Sequence, residues 1–234
     1  MKVAIMQPYI LPYIGYFQLI NSVDVFVIYD NIKYTKKGWI NRNRLLLNGK
    51  DEYFSVPLKN DSDQLDIVQR ALAPSFVDEG AKTLRKIALS YKKAPFFAEV
   101  FPLAEQIFSA KETNLFTFLH QSLLLTTDYL GVDTKIVVSS TLNIDHSLKS
   151  QDKVIALCKA TSATTYVNPI GGVSLYSKEA FSEQHIQLHF LQSKPFEYAQ
   201  SVPGFTPWLS ILDVMMHNDK DTIKNYLDHS YDLI

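Results

Sequence analysis

Gln7-Pro-Tyr-Ile-Leu-Pro-Tyr-Ile-Gly-Tyr16 lies between two short apolar runs, Lys2-Val-Ala-Ile-Met6 and Asp24-Val-Phe-Val-Ile-Tyr-Asp30. Runs of this length with few polar breaks predict buried parallel strands. The segment between them is long enough for a loop and a helix, which a parallel crossover requires. Open α/β sheets place ligands at the carboxyl ends of their strands, where this loop must lie. Gln7, Tyr9, Tyr13 and Tyr16 give it more polar and aromatic tips than a connector needs. The competing reading is a rigid turn, with Pro8 and Pro12 restricting the backbone and the tyrosines covering a core.

Working outward, Asn31–Asn48 suggests a hairpin or an ordered loop, and Glu52–Leu58 a third strand whose Pro57 puts it near a sheet edge or strand end. Leu65–Ala71 suggests another short strand. Ser75 is a candidate N-cap for a helix through Tyr91, and Pro95 suits the start of a helix over Phe96–Ser109. A third helix, Asn114–Leu130, stops at Gly131. Alternation then resumes: strand Lys135–Ser139, helix Ser150–Thr161, strand Thr164–Asn168, short helix Lys178–Glu183 and strand Ile186–Leu191. A helix opening at Thr206 or Pro207 and running through His217, and another over Lys220–Leu227, complete the pattern. The expectation is one α/β domain over 1–234: a Rossmann-like, mostly parallel sheet with a helical insert at 74–131.

Composition narrows the function. The 23 basic and 24 acidic residues nearly cancel, so no overall basic field is available to hold nucleic acid. One local cationic run stands out: Lys33, Lys36, Lys37, Arg42 and Arg44 without an intervening carboxylate, either a solvated face or a phosphate clamp. The single cysteine, Cys158, cannot form an intrachain disulfide. No apolar run approaches the ~20 residues of a membrane helix, and the first residues lack a signal-peptide pattern. The expectation is a cytoplasmic protein with no membrane insertion. No metal-ligand spacing, Walker loop or nucleophile elbow is present, and the sequence names no cofactor.

Two resemblances bear on these residues. Tyr13-Ile-Gly15-Tyr16 occupies the place of the His-x-Gly-His loop of nucleotidyltransferase-like Rossmann folds, with both histidines replaced. That resemblance implies a fold and a pocket position rather than adenylyl transfer. A wider one rests on five ordered blocks: Gln7–Phe17, Asp24–Asp30, Tyr34–Arg44, Tyr166-Val-Asn-Pro-Ile-Gly-Gly172 and Phe205-Thr-Pro-Trp-Leu-Ser-Ile-Leu-Asp213. These look like the WbqC-like family. The resemblance implies a role in surface-polysaccharide or O-antigen assembly, on nucleotide-linked amino sugars, with amino-acyl transfer to a sugar amine as the more concrete chemistry. The chain departs from the family pattern after Asp213, where His217 and Asp219 stand in place of Asn and Gly.

The residues themselves suggest the following roles. Asp30 closes an apolar strand and suits binding a sugar hydroxyl, deprotonating an amine or holding a metal, with a cap on the Asn31–Tyr34 turn as the alternative. Trp39, Asn41 and Arg42, with Tyr34, combine a stacking platform, an amide and a guanidinium suited to a nucleotide-sugar; Trp39 as core and Arg42 as an ion-pair partner are the alternatives. Asp213 and His217 lie four apart on one helix face, with Ser210 one turn away, which suits a general base or a surface pair. Gly171 and Gly172 suit an anion-binding nest or a plain turn. Cys158, on an apolar helix face, reads as a buried thiol. The functional expectation is an enzyme that modifies a nucleotide-linked amino sugar by acyl or amino-acyl transfer, Asp30 and Asp213 carrying the chemistry. The alternative is a non-catalytic sugar-nucleotide binding or scaffold protein of the same pathway. The expected partner is that small molecule, with an oligomer also compatible.

Overall fold

The computed structural model describes residues 1–234. The first apolar run forms strand β1 (Lys2–Met6), helix α1 (Ile14–Asn21) follows, and the second run forms β2 (Val25–Ile28). The two strands pair in parallel, Ala4 opposite Phe26. A hairpin, β3 (Arg42–Leu47) and β4 (Lys50–Ser55), stands apart as its own two-stranded sheet. Asn48 and Gly49 at its tip have φ of 53° and 74°. Two positive φ values are what a type I′ hairpin turn requires, and Asn-Gly tolerates them best.

Three helices come next, α2 (Phe76–Tyr91), α3 (Phe97–Phe108) and α4 (Leu115–Leu130). Asn114 accepts the amide of Thr117 at the start of α4, and Gly131 ends it in the left-handed region at φ 65°. The sheet then resumes with β5 (Lys135–Val138), α5 (Ser150–Ala160), β6 (Thr165–Pro169), α6 (Lys178–Ser182) and β7 (Gln187–Ser193). Two further helices, α7 (Ile211–His217) and α8 (Lys220–His229), precede the short strand β8 (Tyr231–Leu233).

The six-stranded sheet runs β5-β2-β1-β6-β7-β8, with only the β7–β8 pair antiparallel. Counted by their order along the chain, these strands read 3-2-1-4-5-6, the Rossmann order, so the fold is a Rossmann-like α/β fold. Side chains alternate across the sheet as the pleat demands. Ala4, Phe26, Ile28, Val167 and Leu191 face a large core shared with α1, α8 and the inserted helices. Val3, Ile5, Val27, Tyr166 and Phe190 face a smaller core with Val154, Leu157 and Cys158 of α5 and Phe181 of α6. Cys158 is fully buried there, and desolvation pushes its thiol up to about 12.

Two local expectations fail, and one element carried no signal. The strand expected at Leu65–Ala71 is a 3-10 turn over Ile67–Gln69, because Asp66 and Gln69 form a capping box that favours a turn. The last amphipathic stretch becomes helical only at Ile211, capped by Ser210, because Trp208 is held at a left-handed φ of 60°. The Nη2 of Arg44 donates to the carbonyls of Pro207 and Trp208 at 3.1 and 3.2 Å, which holds that segment off the helical path. Strand β8 was not foreseen, since three residues carry no periodicity.

The loop after β1 is pinned from outside itself. The buried Asn43 of β3 donates its amide to the carbonyls of Ile10 and Leu11 at 3.1 and 2.8 Å. The amide of Arg44 donates to the Asn43 side-chain oxygen in turn. Asn43→Ala removes the side chain that ties the Ile10 and Leu11 carbonyls to β3. The expected loss is about 1–3 kcal/mol of stability, read as a lower denaturant midpoint at unchanged slope.

Candidate functional site

The direction of the chain path reverses between β1 and β6, and all parallel strands end on one edge of the sheet. At that edge lie the loops after β1, β2, β5 and β6, where ligands bind in open α/β sheets. A cavity of about 1030 Å³ opens there, walled by the β2 loop (Tyr29, Asn31, Lys33), Asp66, the β5 loop (His146) and the first turn of α5 (Lys149 to Lys153). Ser174 to Tyr176 close it from the segment after β6. A helix of 11 residues thus presents its free amide end to the cavity, and three lysines surround it.

Lys153 is the deepest of these cations, at 5% exposure. Its Nζ donates to the carbonyl of Asn31 at 3.1 Å and lies 5.2 Å from the ring centre of Tyr29. One hydrogen bond leaves two of the three ammonium protons for a ligand. Burial lowers its pKa below the ordinary lysine value, with nearby Lys149 acting in the same sense and Asp66 and Asp30 opposing. Lys149 and Lys153 at the start of α5 oppose its dipole, while Asp152 in the first turn and Lys159 in the last favour it, so the cations are additional to what the helix itself needs.

Behind this wall runs a hydrogen-bonded chain. His146 contacts the carbonyl of Leu142 through Nε2 at 3.0 Å and the amide of Asn31 through Nδ1 at 2.8 Å. A carbonyl only accepts, so Nε2 carries the proton and Nδ1 accepts from Asn31. Ser139 Oγ lies 2.7 Å from both Asn31 Oδ1 and Asp30 Oδ1, and the amide of Ser140 donates to Asp30 Oδ1 at 2.9 Å. Asp30 is fully buried and its Oδ2 has no partner. The structure brings Asp30 between two cavity-lining residues, with the carboxylate itself out of solvent.

The other expected residues spread over several settings. Tyr9, Tyr13 and Trp39 line a second cavity of about 330 Å³. Gln7 is half-buried at the end of β1, and its carbonyl accepts the buried Tyr16 hydroxyl at 2.8 Å. Tyr34 donates to Asn41, which donates to the carbonyl of Val56, so both belong to the frame of the hairpin. Arg42 is caught by the carbonyls of Gly38 and Lys37, with its guanidinium 4.9 Å from the Tyr53 ring centre. The cationic run therefore divides: Lys33 reaches the cleft, while Arg42 and Arg44 brace the hairpin and its neighbours. Gly171 and Gly172 lie in a 3-10 turn over Ile170–Leu175 without positive φ, so they form no nest. Gly172 is needed for a different reason: a Cβ there would meet the Asn168 amide at 1.9 Å. Ser210 is buried, and its Oγ donates to the carbonyl of Leu11 at 2.8 Å.

Asp213 is fully buried, and both of its oxygens are engaged. Tyr91 donates to Oδ1 at 2.6 Å; Tyr198 and Gln200 donate to Oδ2 at 2.7 and 3.2 Å. Burial raises the pKa of both phenols, and the adjacent carboxylate raises them further, so they remain donors. His217 donates from Nδ1 to the Asp213 backbone carbonyl at 2.8 Å, while the carboxylate stands 3.8 Å away. The histidine pairs with the main chain first.

Sequence reading missed Lys153, Lys149, His146, Asp66 and Tyr176. One signal was available: Lys149 and Lys153 flank Asp152 at the start of the helix, two cations where acidic residues are preferred. No group of three or more His, Cys, Asp or Glu side chains is arranged to hold a metal ion, and no helix is long and apolar enough to cross a membrane.

Comparison with known proteins identifies the family. The model of the WbqC-like protein family matches residues 7–225. An uncharacterized protein of Mycobacterium tuberculosis (strain ATCC 25618 / H37Rv) is 30% identical over 220 residues, covering 92% of this chain and 93% of that one. No solved structure matches. The chain belongs to the WbqC-like protein family.

Replacing Asp213 by Asn puts an amide where two hydroxyls and an amide now donate. At least one donor is then left unmatched in a buried site, at a cost of about 1–3 kcal/mol. Chemical denaturation of Asp213→Asn is expected to show that loss. Unchanged stability would show that the carboxylate is not needed as an internal acceptor.

Proposed function

We propose that this WbqC-like protein binds a nucleotide-linked amino sugar in the lysine-lined cleft and transfers an acyl or amino-acyl group to its amine, within surface-polysaccharide assembly in the cytoplasm. The observation that carries this reading is the meeting of Lys33, Lys149, Lys153 and the free amides of α5 at the carboxyl edge of the sheet. Cations and helix amides together suit a pyrophosphate. The cavity, at about 1030 Å³, has the volume for a nucleotide and a sugar together.

The chemistry assigned to the far end of the ligand is simple. The neutral sugar amine attacks the carbonyl carbon of an activated acyl donor. A C–N bond forms, the bond to the donor's leaving group breaks, and the nitrogen gives up a proton. Asp66 lines the cleft and is the carboxylate suited to hold the ammonium and accept that proton. Asp30, with one unpartnered oxygen, lies behind the cleft against Ser139, while the Leu142 carbonyl and the Asn31 amide hold His146 in its tautomer.

A second reading, a non-catalytic binding or scaffold protein, draws on specific contacts. Both ring nitrogens of His146 and both oxygens of Asp213 are already engaged. The readings separate in one experiment: incubation with a panel of nucleotide-linked amino sugars, glycine and ATP, followed by mass spectrometry. A product heavier by the acyl group supports transfer. Saturable binding with unchanged sugar supports the second reading.

The phosphate contact is tested with Lys153→Met, which keeps the length and apolar stem of the side chain. Calorimetry with uridine diphosphate is expected to show affinity reduced by roughly tenfold or more, equivalent to about 1.5–3 kcal/mol for a charge-assisted hydrogen bond. The pH dependence has a defined sign. A lowered lysine pKa means that the cation is lost earlier on raising pH, so binding should weaken below the ordinary lysine range. Lys153→Arg should move that loss to higher pH, and equal affinity in Lys153→Met would remove Lys153 from the site.

A further inference from the structure

We propose that the smaller cavity, lined by both tryptophans of the chain, is a binding site for a neutral pyranose ring. It shares no residue with the lysine-lined cleft and does not rest on the reading of that cleft. The chain has only two tryptophans, Trp39 and Trp208, and both line this one cavity, with Tyr9, Tyr13 and Pro12. Both remain open to solvent, Trp39 at 39% and Trp208 at 55%. Large aromatic faces exposed around a concave site are costly in water and suit the C–H face of a sugar.

The arrangement is held against local preference. Trp208 has φ 60°, a conformation that bulky residues avoid. It is over-determined by its surroundings. Arg44 Nη2 donates to the carbonyls of Pro207 and Trp208, and the amide of Ser210 donates to the Arg44 carbonyl at 3.0 Å. Tyr13 meets the Trp208 ring edge-on with centroids 5.9 Å apart. On the opposite side Trp39 stacks on Tyr53 at 6.1 Å, which fixes its plane. The indoles are thus walls set by neighbours rather than free side chains.

The polar groups select a neutral ligand. Arg44 is the charged residue of the lining, and its guanidinium is already paired with Asp51. Tyr9 and Tyr13 make no side-chain hydrogen bond within the protein. Burial holds Tyr9 up at about 12, with Tyr13 contributing, and raises Tyr13 as well, so both phenols stay protonated at neutral pH. Two phenols with no internal hydrogen bond, lining the cavity together with the indoles, offer donors and acceptors to sugar hydroxyls. They offer no charge to a phosphate, which separates this site from the lysine-lined cleft. The cavity, about 330 Å³, has room for a single ring with its substituents.

The test uses the full chain and its own fluorescence, because both emitters line the site. Methyl β-glucoside and methyl N-acetyl-β-glucosaminide are titrated through the millimolar range, with uridine as a flat-ring control and uridine diphosphate as the probe of the lysine-lined cleft. A saturable shift in tryptophan emission is expected with at least one glycoside and not with uridine. Trp208→Gly removes the indole and relieves the left-handed backbone, so it should keep or raise Tm. Its glycoside affinity should fall by roughly tenfold or more, with Trp39 still reporting, and its uridine diphosphate affinity should not change. If Trp208→Gly unfolds, the double variant Tyr9→Phe with Tyr13→Phe keeps both rings and decides by the same loss. The proposal is overturned if neither glycoside shifts the emission, if the folded variant binds as the parent does, or if uridine binds more tightly than both glycosides. Loss of uridine diphosphate binding in Lys153→Met with glycoside binding intact keeps the two sites separate.

Discussion

The carbonyl of Leu11 is the hinge on which the functional half of the molecule turns. It accepts from the side chain of Asn43, on the hairpin, and from the side chain of Ser210, nearly two hundred residues later. The amide of Ile10 donates to the carbonyl of Ile40, and that of Ile211 to the carbonyl of Pro12. A loop leaving a parallel strand would otherwise expose a row of unpaired backbone groups inside the fold, each expensive to bury. Satisfying them from β3 and from the start of α7 joins three distant parts of the chain. The same contacts set Tyr9 and Tyr13 beside Trp39 and Trp208.

Polar residues in this protein fall into two groups, distinguished by how many of their hydrogen-bonding atoms are spent internally. Asp213, Tyr34 and Asn41 bond neighbours through their side chains, Arg42 is held by two backbone carbonyls, and together they brace the hairpin, α2 and α7. Arg70 also braces this region, donating to the carbonyls of Ser62 and Lys59 with its guanidinium over the Tyr34 ring, while its buried Nε has no partner. Lys153, Lys149 and Lys33 form the other group. They converge on one cavity around a helix end, with fewer internal partners than donors. Burial and the nearby Lys149 depress the Lys153 pKa there, against the pull of Asp66 and Asp30.

The inserted helices explain how a protein of this size keeps the Rossmann order. Their buried faces complete the large core on one side of the sheet, while α5 and α6 cover the other. Gly80 of α2 lies so close to α3 that an added Cβ would meet the Phe108 carbonyl at 2.6 Å, so the two helices approach on backbone alone. The insert leaves the carboxyl edge of β1, β2 and β6 intact and hangs its mass to one side.

The sequence by itself determined the strands at Lys2–Met6 and Val25–Ile28, the three inserted helices, the return to alternation and the family, because periodicity, caps and ordered blocks are local signals. Tyr9, Tyr13 and Trp39 were legible as candidate site residues by type and by their place in loops. Their partner Trp208 was not singled out, since a helix was expected there and only the Arg44 contacts hold it in the left-handed region. Only the tertiary structure decided that Arg42 and Asp213 are enclosed by internal acceptors and donors, and that Lys153 and His146 share a cleft with Lys33. Strand β2 ends beside the start of α5 although more than a hundred residues separate them, and no local pattern encodes that meeting. A side chain's role depends on which of its hydrogen bonds the fold has already used, and that sum is taken over neighbours in space rather than in sequence.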